Sequence, residues 1–178
     1  MNPYTEGLTN GDGNKGGWEY SDMRAYLNSK KYLEGETAEI DYTLSGIFNA
    51  LSSDLKNIII NTKVISGYFS RDSVNYVTTD KLYLLDSKEI YGSSFAETQN
   101  RAKDQERQLD FYLSKNVTTS SYSEAIKKDL GGLASYWWLR SARSHVFGCF
   151  FTVVIFGGSD FNSSSYNYGV SPAFRIAE

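Results

Sequence analysis

The strongest constraint on this chain is an aromatic frame near its C-terminus. Tyr136-Trp137-Trp138-Leu139 opens the frame and Pro172-Ala173-Phe174-Arg175-Ile176 closes it. Both runs read as strands, and adjacent tryptophans demand a core to receive them. The segment between them is chemically filtered. Ala142 to Tyr168 holds no Lys, Glu, Gln, Met or Trp, where composition alone would place about five such residues. The only His (His145) and the only Cys (Cys149) lie inside it. A rigid frame around a filtered insert reads as a display surface rather than a catalytic one.

Within the insert, Phe150 to Phe156 (FFTVVIF) predicts a strand. Phe151, Val153 and Ile155 then share one face, and Phe150, Thr152, Val154 and Phe156 the other. Two arrangements stay open: a central strand buried on both faces, or one row exposed as an apolar recognition patch. Ser159 to Tyr168 (SDFNSSSYNY) has the chemistry of a paratope, with Phe161, Tyr166 and Tyr168 as anchors among adaptable Ser and Asn.

Residues 1–17 read as a flexible, glycine-rich lead-in with a turn at Asn10-Gly11 or Asp12-Gly13, and order is expected from Trp18. Ser21 or Asp22 caps a short helix running to Leu27. Leu44, Ile47, Phe48, Leu51 and Leu55 recur at helical spacing and predict one helix, capped by Thr37 or Asp41 and ending near Asn57. Ile58-Ile59-Ile60 and Val64-Ile65 predict a strand interrupted at Asn61-Thr62. Tyr68 to Asp80 reads as loop, Lys81 to Leu85 as a buried strand, and Ser87 to Tyr91 as a helical turn. The mixed-sign run from Ala96 to Leu113 reads as a solvated helix face. Tyr122 to Leu130 predicts a short helix and Gly131-Gly132 a turn. Helices in the N-terminal half and strands mainly in the C-terminal half make an α+β chain. Its 178 residues, free of repeats, form one domain over 18–178.

Composition narrows the function. A net charge of -3 gives no broad basic field, so no nucleic-acid partner is expected. A single Cys cannot close an intrachain disulfide, and neither a signal-like segment nor a run of membrane-spanning length is present. The expectation is a soluble, disulfide-free domain without membrane insertion. Its 14 Tyr suit either a core or a binding face. Cys149 and His145, four apart, invite a nucleophile-and-base reading, but Phe147-Gly148-Cys149-Phe150-Phe151 reads as the setting of a small buried hydrophobe. One His and one Cys make no zinc set, and Asp160-Phe161-Asn162, which offers oxygens to a hard cation, reads as a polar turn. P-loop and dinucleotide fingerprints are missing. No catalytic residue, metal or cofactor is therefore expected.

Four stretches occur in order: GGWEYSDMRAYLN (Gly16 to Asn28), LYLLDSKEIYG (Leu82 to Gly92), YWWLRSA (Tyr136 to Ala142) and YGVSPAFRI (Tyr168 to Ile176). Together they resemble C-type-lectin-like domains of bacteria, phages and archaeal viruses, among them the variable proteins of diversity-generating retroelements. The resemblance covers nearly the whole chain beyond residue 16. It implies a C-type-lectin-like fold whose small twisted antiparallel sheet comes mainly from the C-terminal half. It also implies a variable region at about 142–171, in which Asn codons are randomised at their adenines by error-prone copying. Such codons cannot yield Lys, Glu, Gln, Met or Trp, the types missing here.

On this mapping Trp137, Trp138, Arg140, Phe151, Val153, Gly157, Gly169, Pro172 and Phe174 form the scaffold. Arg143, His145, Val146, Phe147, Thr152, Val154, Phe156, Asp160, Phe161, Asn162, Ser164, Tyr166 and Tyr168 are displayed to a protein or cell-surface ligand. Display on a virion or a cell, within a larger assembly, is implied in turn. The chain departs from the pattern at Ser171, where many relatives carry Arg before the Pro. The calcium-dependent sugar motifs of lectins and the paired cysteines of animal relatives are absent. Two other readings stay open. One is an invariant adhesion or cell-wall-binding module of the same fold. The other is an enzyme of the formylglycine-generating type, whose cysteines this chain does not supply.

Overall fold

The computed structural model describes residues 17–31, 39–66, 76–95, 107–143, 146 and 148–177. Ser21 ends a turn after Trp18 and caps helix α1 (Asp22–Asn28), its hydroxyl accepting the Arg24 N–H at 3.1 Å. A short ladder, β1 (Lys30–Lys31) with β2 (Glu39–Ile40), follows. Next come helices α2 (Ile47–Ala50) and α3 (Ser53–Ile58), then strands β3 (Ile59–Ile60), β4 (Thr62–Ser66) and β5 (Tyr76–Asp80). Helices α4 (Ser87–Tyr91) and α5 (Asp110–Ser114) precede the small hairpin of β6 (Lys127–Lys128) and β7 (Ala134–Ser135). The last elements are β8 (Trp137–Ala142), β9 (Cys149–Val153), β10 (Ser159–Ser163) and β11 (Arg175–Ile176). Every ladder is antiparallel: the three-stranded sheet β10-β9-β8 and the pairs β1-β2, β3-β11, β4-β5 and β6-β7. The chain is α+β.

Helices and strands interleave instead of separating into halves. The expected single helix over 44–55 is two, because Leu51 turns extended and Ser52 starts a new helix by accepting the Leu55 N–H. A serine hydroxyl competes for backbone donors, so it favours a cap over a helix interior. Asp41 serves a local turn with Thr43 rather than a helix cap. Residues 76–80, read as loop, form a strand whose inward row is polar, Thr78 and Asp80, with Val77 facing out. Residues 82–85 are buried as expected but build no strand. Between Tyr122 and Leu130 only Ser123–Ala125 is helical, as one 3-10 turn. The proposed cap Thr37, the turns at 10–13 and the charged run at 96–106 lie outside the described residues. In α5, Tyr112 packs inward while Phe111 and Leu113 face solvent.

Buried polar groups hold the motifs together. Asp80 accepts from Trp18 Nε1 at 2.9 Å, Arg24 Nε at 2.8 Å and Thr78 Oγ1 at 2.6 Å, which fixes α1 against β5. The Asn28 amide donates to the Leu82 carbonyl at 2.7 Å and accepts the Leu82 N–H at 2.8 Å. Tyr83 exchanges two backbone bonds with Ala173. Arg140, fully buried in β8, donates to the carbonyls of Leu84 and Ile65 and to the carboxylates of Asp86 and Glu89. Residues 82–85 thus meet their backbone needs piecemeal, through the Asn28 and Arg140 side chains, the bridge to Ala173 and the Arg140 N–H on the Leu85 carbonyl, without a continuous ladder.

Candidate ligand-binding surface

Strand β8 anchors the surface. Trp137 and Trp138 are buried, and Trp137 Nε1 donates to the Ala125 carbonyl at 3.2 Å. Lys127 stands 4.4 Å over the Trp137 ring, and its ammonium also donates to the Ser171 hydroxyl. Burial pushes the Lys127 ammonium below its ordinary value. The chain around Gly169 is strapped beside β8: Trp138 N–H donates to the Gly169 carbonyl at 3.0 Å and Gly169 N–H to the Tyr136 carbonyl at 2.8 Å. A Cβ on Gly169 would sit 3.0 Å from that Tyr136 oxygen, so a larger residue would make the carbonyl give by a few tenths of an ångström. Arg140, Phe151 and Val153 are buried scaffold too. Pro172 and Phe174 are not; Phe174, just before β11, is 41 % exposed.

The residues expected on display divide into two groups. Both rows of the middle strand β9 are buried, Thr152 among them, and Val154 is buried at the base of the turn that follows, where it exchanges backbone bonds with Gly157 and Gly158. Ser164 is buried as well, its N–H bonded to the Gly148 carbonyl. These three present nothing to a ligand, and the alternation of displayed and frame positions fails there because no solvated face exists. The edge strand β10 and the connections remain open. Arg143 lies 3.3 Å over the exposed Phe161 ring. Asp160 is exposed, and half-buried Asn162 donates to Thr152 Oγ1 at 3.0 Å. Phe156, 57 % exposed, forms the tip of the β9–β10 turn beside exposed Ile155 and 6.2 Å from the Tyr122 ring. Val146 is half-buried; His145 and Phe147 lie outside the described residues.

Tyr136, Tyr168 and Tyr166 stack in a ladder with centroid spacings of 4.7 and 5.6 Å, and Trp138 leans on Tyr168 at 5.1 Å. Burial, then Tyr136, Tyr166 and Asp160, raise the Tyr168 hydroxyl above its ordinary value. The ladder borders a cleft of about 270 Å³ whose other wall is α1, through Asp22, Met23 and Tyr26. Asn167 and Val170 complete it from the strap side. Sequence reading assigned α1 a purely structural role. The available signal was the outward Asp22 and Tyr26 on a helix whose Met23 and Leu27 point inward.

A profile for DUF6273, a domain of unknown function, matches residues 4–178. The chain belongs to that family. No curated protein and no solved structure matches it. In this DUF6273 domain, the described residues contain no group of three or more His, Cys, Asp or Glu able to hold a metal ion. Asp160 Oδ1 accepts its neighbour's N–H from Phe161 at 2.8 Å. Burial pushes the Cys149 thiol up, with Arg143 opposing more weakly, which is the reverse of an activated nucleophile. Among the described residues no helix is long and apolar enough to cross a membrane.

Proposed function

We propose that this domain is a ligand-binding display module with a C-type-lectin-like frame, whose diversified C-terminal surface recognises a protein or cell-surface target. The observation that carries the reading is the set of solvent-facing aromatics Phe156, Phe161 and Tyr166 on a segment whose backbone is held by buried Trp137, Trp138 and Val153. Rigid aromatic anchors bind with little ordering cost, and flanking Ser and Asn adapt their hydrogen bonds to the partner. The mechanism is recognition, carried out on a virion or cell surface within a larger assembly. The displayed set is Arg143, Val146, Phe156, Asp160, Phe161, Asn162, Tyr166 and Tyr168, without the buried Thr152, Val154 and Ser164.

The burial of those three positions favours a second reading, an invariant adhesion module, since random replacement there would damage the core. Two measurements decide. The neighbouring DNA should carry a near-identical copy of the segment encoding 142–171 that differs at adenines, close to a reverse transcriptase gene; without it, diversification is wrong. Bead-bound domain should retain intact cells or virions from its native community. Phe156→Ser/Phe161→Ser/Tyr166→Ser, with an unchanged melting temperature, should lose that retention, and equal retention would refute the surface.

A further inference from the structure

We propose that the cleft between α1 and the strap around Gly169 takes the cationic side chain of a Lys or Arg on the protein ligand, an inference that rests on the recognition reading above. Aromatic rings meet the cleft from two directions. Tyr26 stands on α1, and Tyr166 and Tyr168 stand opposite, with the Trp138 indole packed against Tyr168. Tyr26 and Tyr166 are each about half exposed, so their rings are open to a guest. Ring faces carry negative potential and attract a cation. Asp22 contributes a carboxylate to the wall, and the described residues that line the cleft include no Lys, Arg or His. Asp160 adds a negative field at the Tyr168 hydroxyl.

Shape agrees with charge. At about 270 Å³ the cleft falls below the roughly 300–1,000 Å³ typical of drug-sized ligands and suits one long side chain. Tyr136, Tyr168 and Tyr166 are already stacked in the free protein, which lowers the ordering cost of binding. An anionic guest would face Asp22. A sugar ring would need a belt of directional polar partners, whereas rings dominate the walls and, among the described residues, Asp22 and Asn167 are the non-aromatic polar side chains there.

The test is an NMR titration of the full chain with end-blocked Gly-Lys-Gly and Gly-Arg-Gly, alongside their neutral counterparts carrying norleucine and citrulline. The cationic peptides should bind about tenfold more tightly than the neutral ones. Tyr166→Ala and Tyr26→Ala, both at exposed positions, should abolish that preference at unchanged melting temperature. Asp22→Asn should weaken it and reduce its dependence on salt. Equal affinity for charged and neutral peptides, or no binding of either, overturns the proposal. So does preferential binding of choline, which would indicate a lipid headgroup, or of methyl glucoside, which would indicate a glycan. Target retention that depends on Phe156 and Phe161 while the cationic peptides fail to bind would sink this inference alone. Peptide binding without any macromolecular retention would support the cleft and sink the recognition reading.

Discussion

Arg140 Nη2 lies 2.5 Å from Asp86 Oδ2, with both side chains shut off from solvent. Nη1 of the same guanidinium reaches Glu89 Oε2 at 2.5 Å. Those carboxylates also close the capping box that starts α4, so one arginine ties the WWLRSA strand to the DSKEI helix. Arg140→Met strands two buried carboxylates and should cost about 3–5 kcal/mol in urea denaturation. Arg140→Lys should recover little, because a point charge cannot serve four acceptors in a fork. Adding Asp86→Asn and Glu89→Gln to Arg140→Met should restore part of the loss. A cost below about 1 kcal/mol for Arg140→Met would show that the network does not hold the fold.

Asn28 acts as a piece of backbone. Its amide pairs with both the N–H and the carbonyl of Leu82. Asn28→Ala leaves two buried main-chain groups without partners, at about 1–3 kcal/mol each. Asn28→Asp keeps the acceptor and loses the donor, so it should still be destabilising. Thermal melts that place Asn28→Ala within experimental error of wild type would contradict this role.

The frame was legible in sequence because tryptophan, arginine and glycine each demand a specific setting. Trp137, Trp138 and Arg140 are buried, and Gly169 lies against the Tyr136 carbonyl. Helix α1 followed from local capping chemistry, which left Ser21 and Asp22 as alternative caps; the cap is Ser21. Strand β5 was hidden because its buried row, Thr78 and Asp80, is polar and is satisfied by Trp18 and Arg24, far away in sequence. Periodicity cannot show such partners. The misassignment of Thr152 and Val154 has a related origin. FFTVVIF has the same pattern whether one face or two are covered, and only the packing of other elements above and below β9 settles it. The contribution of Asp22 and Tyr26 to the cleft likewise depends on which segment packs opposite α1.

Gly157 sets the direction of the Phe156 tip. Its φ is +94°, and a Cβ there would meet the Tyr122 carbonyl oxygen at 2.1 Å. Gly157→Ala therefore combines backbone strain of about 1–3 kcal/mol with a clash against main chain that cannot move aside. Gly132→Ala, at φ +81° with nothing near its Cβ, should show the strain alone. Gly158→Ala meets only ordinary ring contacts and should be close to neutral. Denaturant midpoints should fall in that order, and a Gly157→Ala domain as stable as Gly158→Ala would refute the close approach.

Alkaline pH should unfold the domain through its buried tyrosines. Burial pushes the Tyr112 hydroxyl up to about 12 from its ordinary 10.0, and raises Tyr91, whose hydroxyl donates to the Gly157 carbonyl, further still. Between pH 10.0 and about 12 the unfolded chain has released phenolic protons that the folded chain retains. Stability is therefore unaffected by these groups below pH 10 and falls as pH rises through that window. Lys127 works in the opposite direction. Burial lowers its ammonium value, so between that lowered value and its ordinary 10.5 the unfolded chain holds a proton that the folded chain gives up, and its burial cost shrinks as pH rises to 10.5. Tyr112→Phe should flatten the loss of stability above pH 10, and Lys127→Met should remove the gain in stability that the wild type shows as pH rises toward 10.5. Thermal midpoints measured across that range, with identical slopes for wild type and Tyr112→Phe, would show that the Tyr112 phenol is not what the alkaline transition titrates.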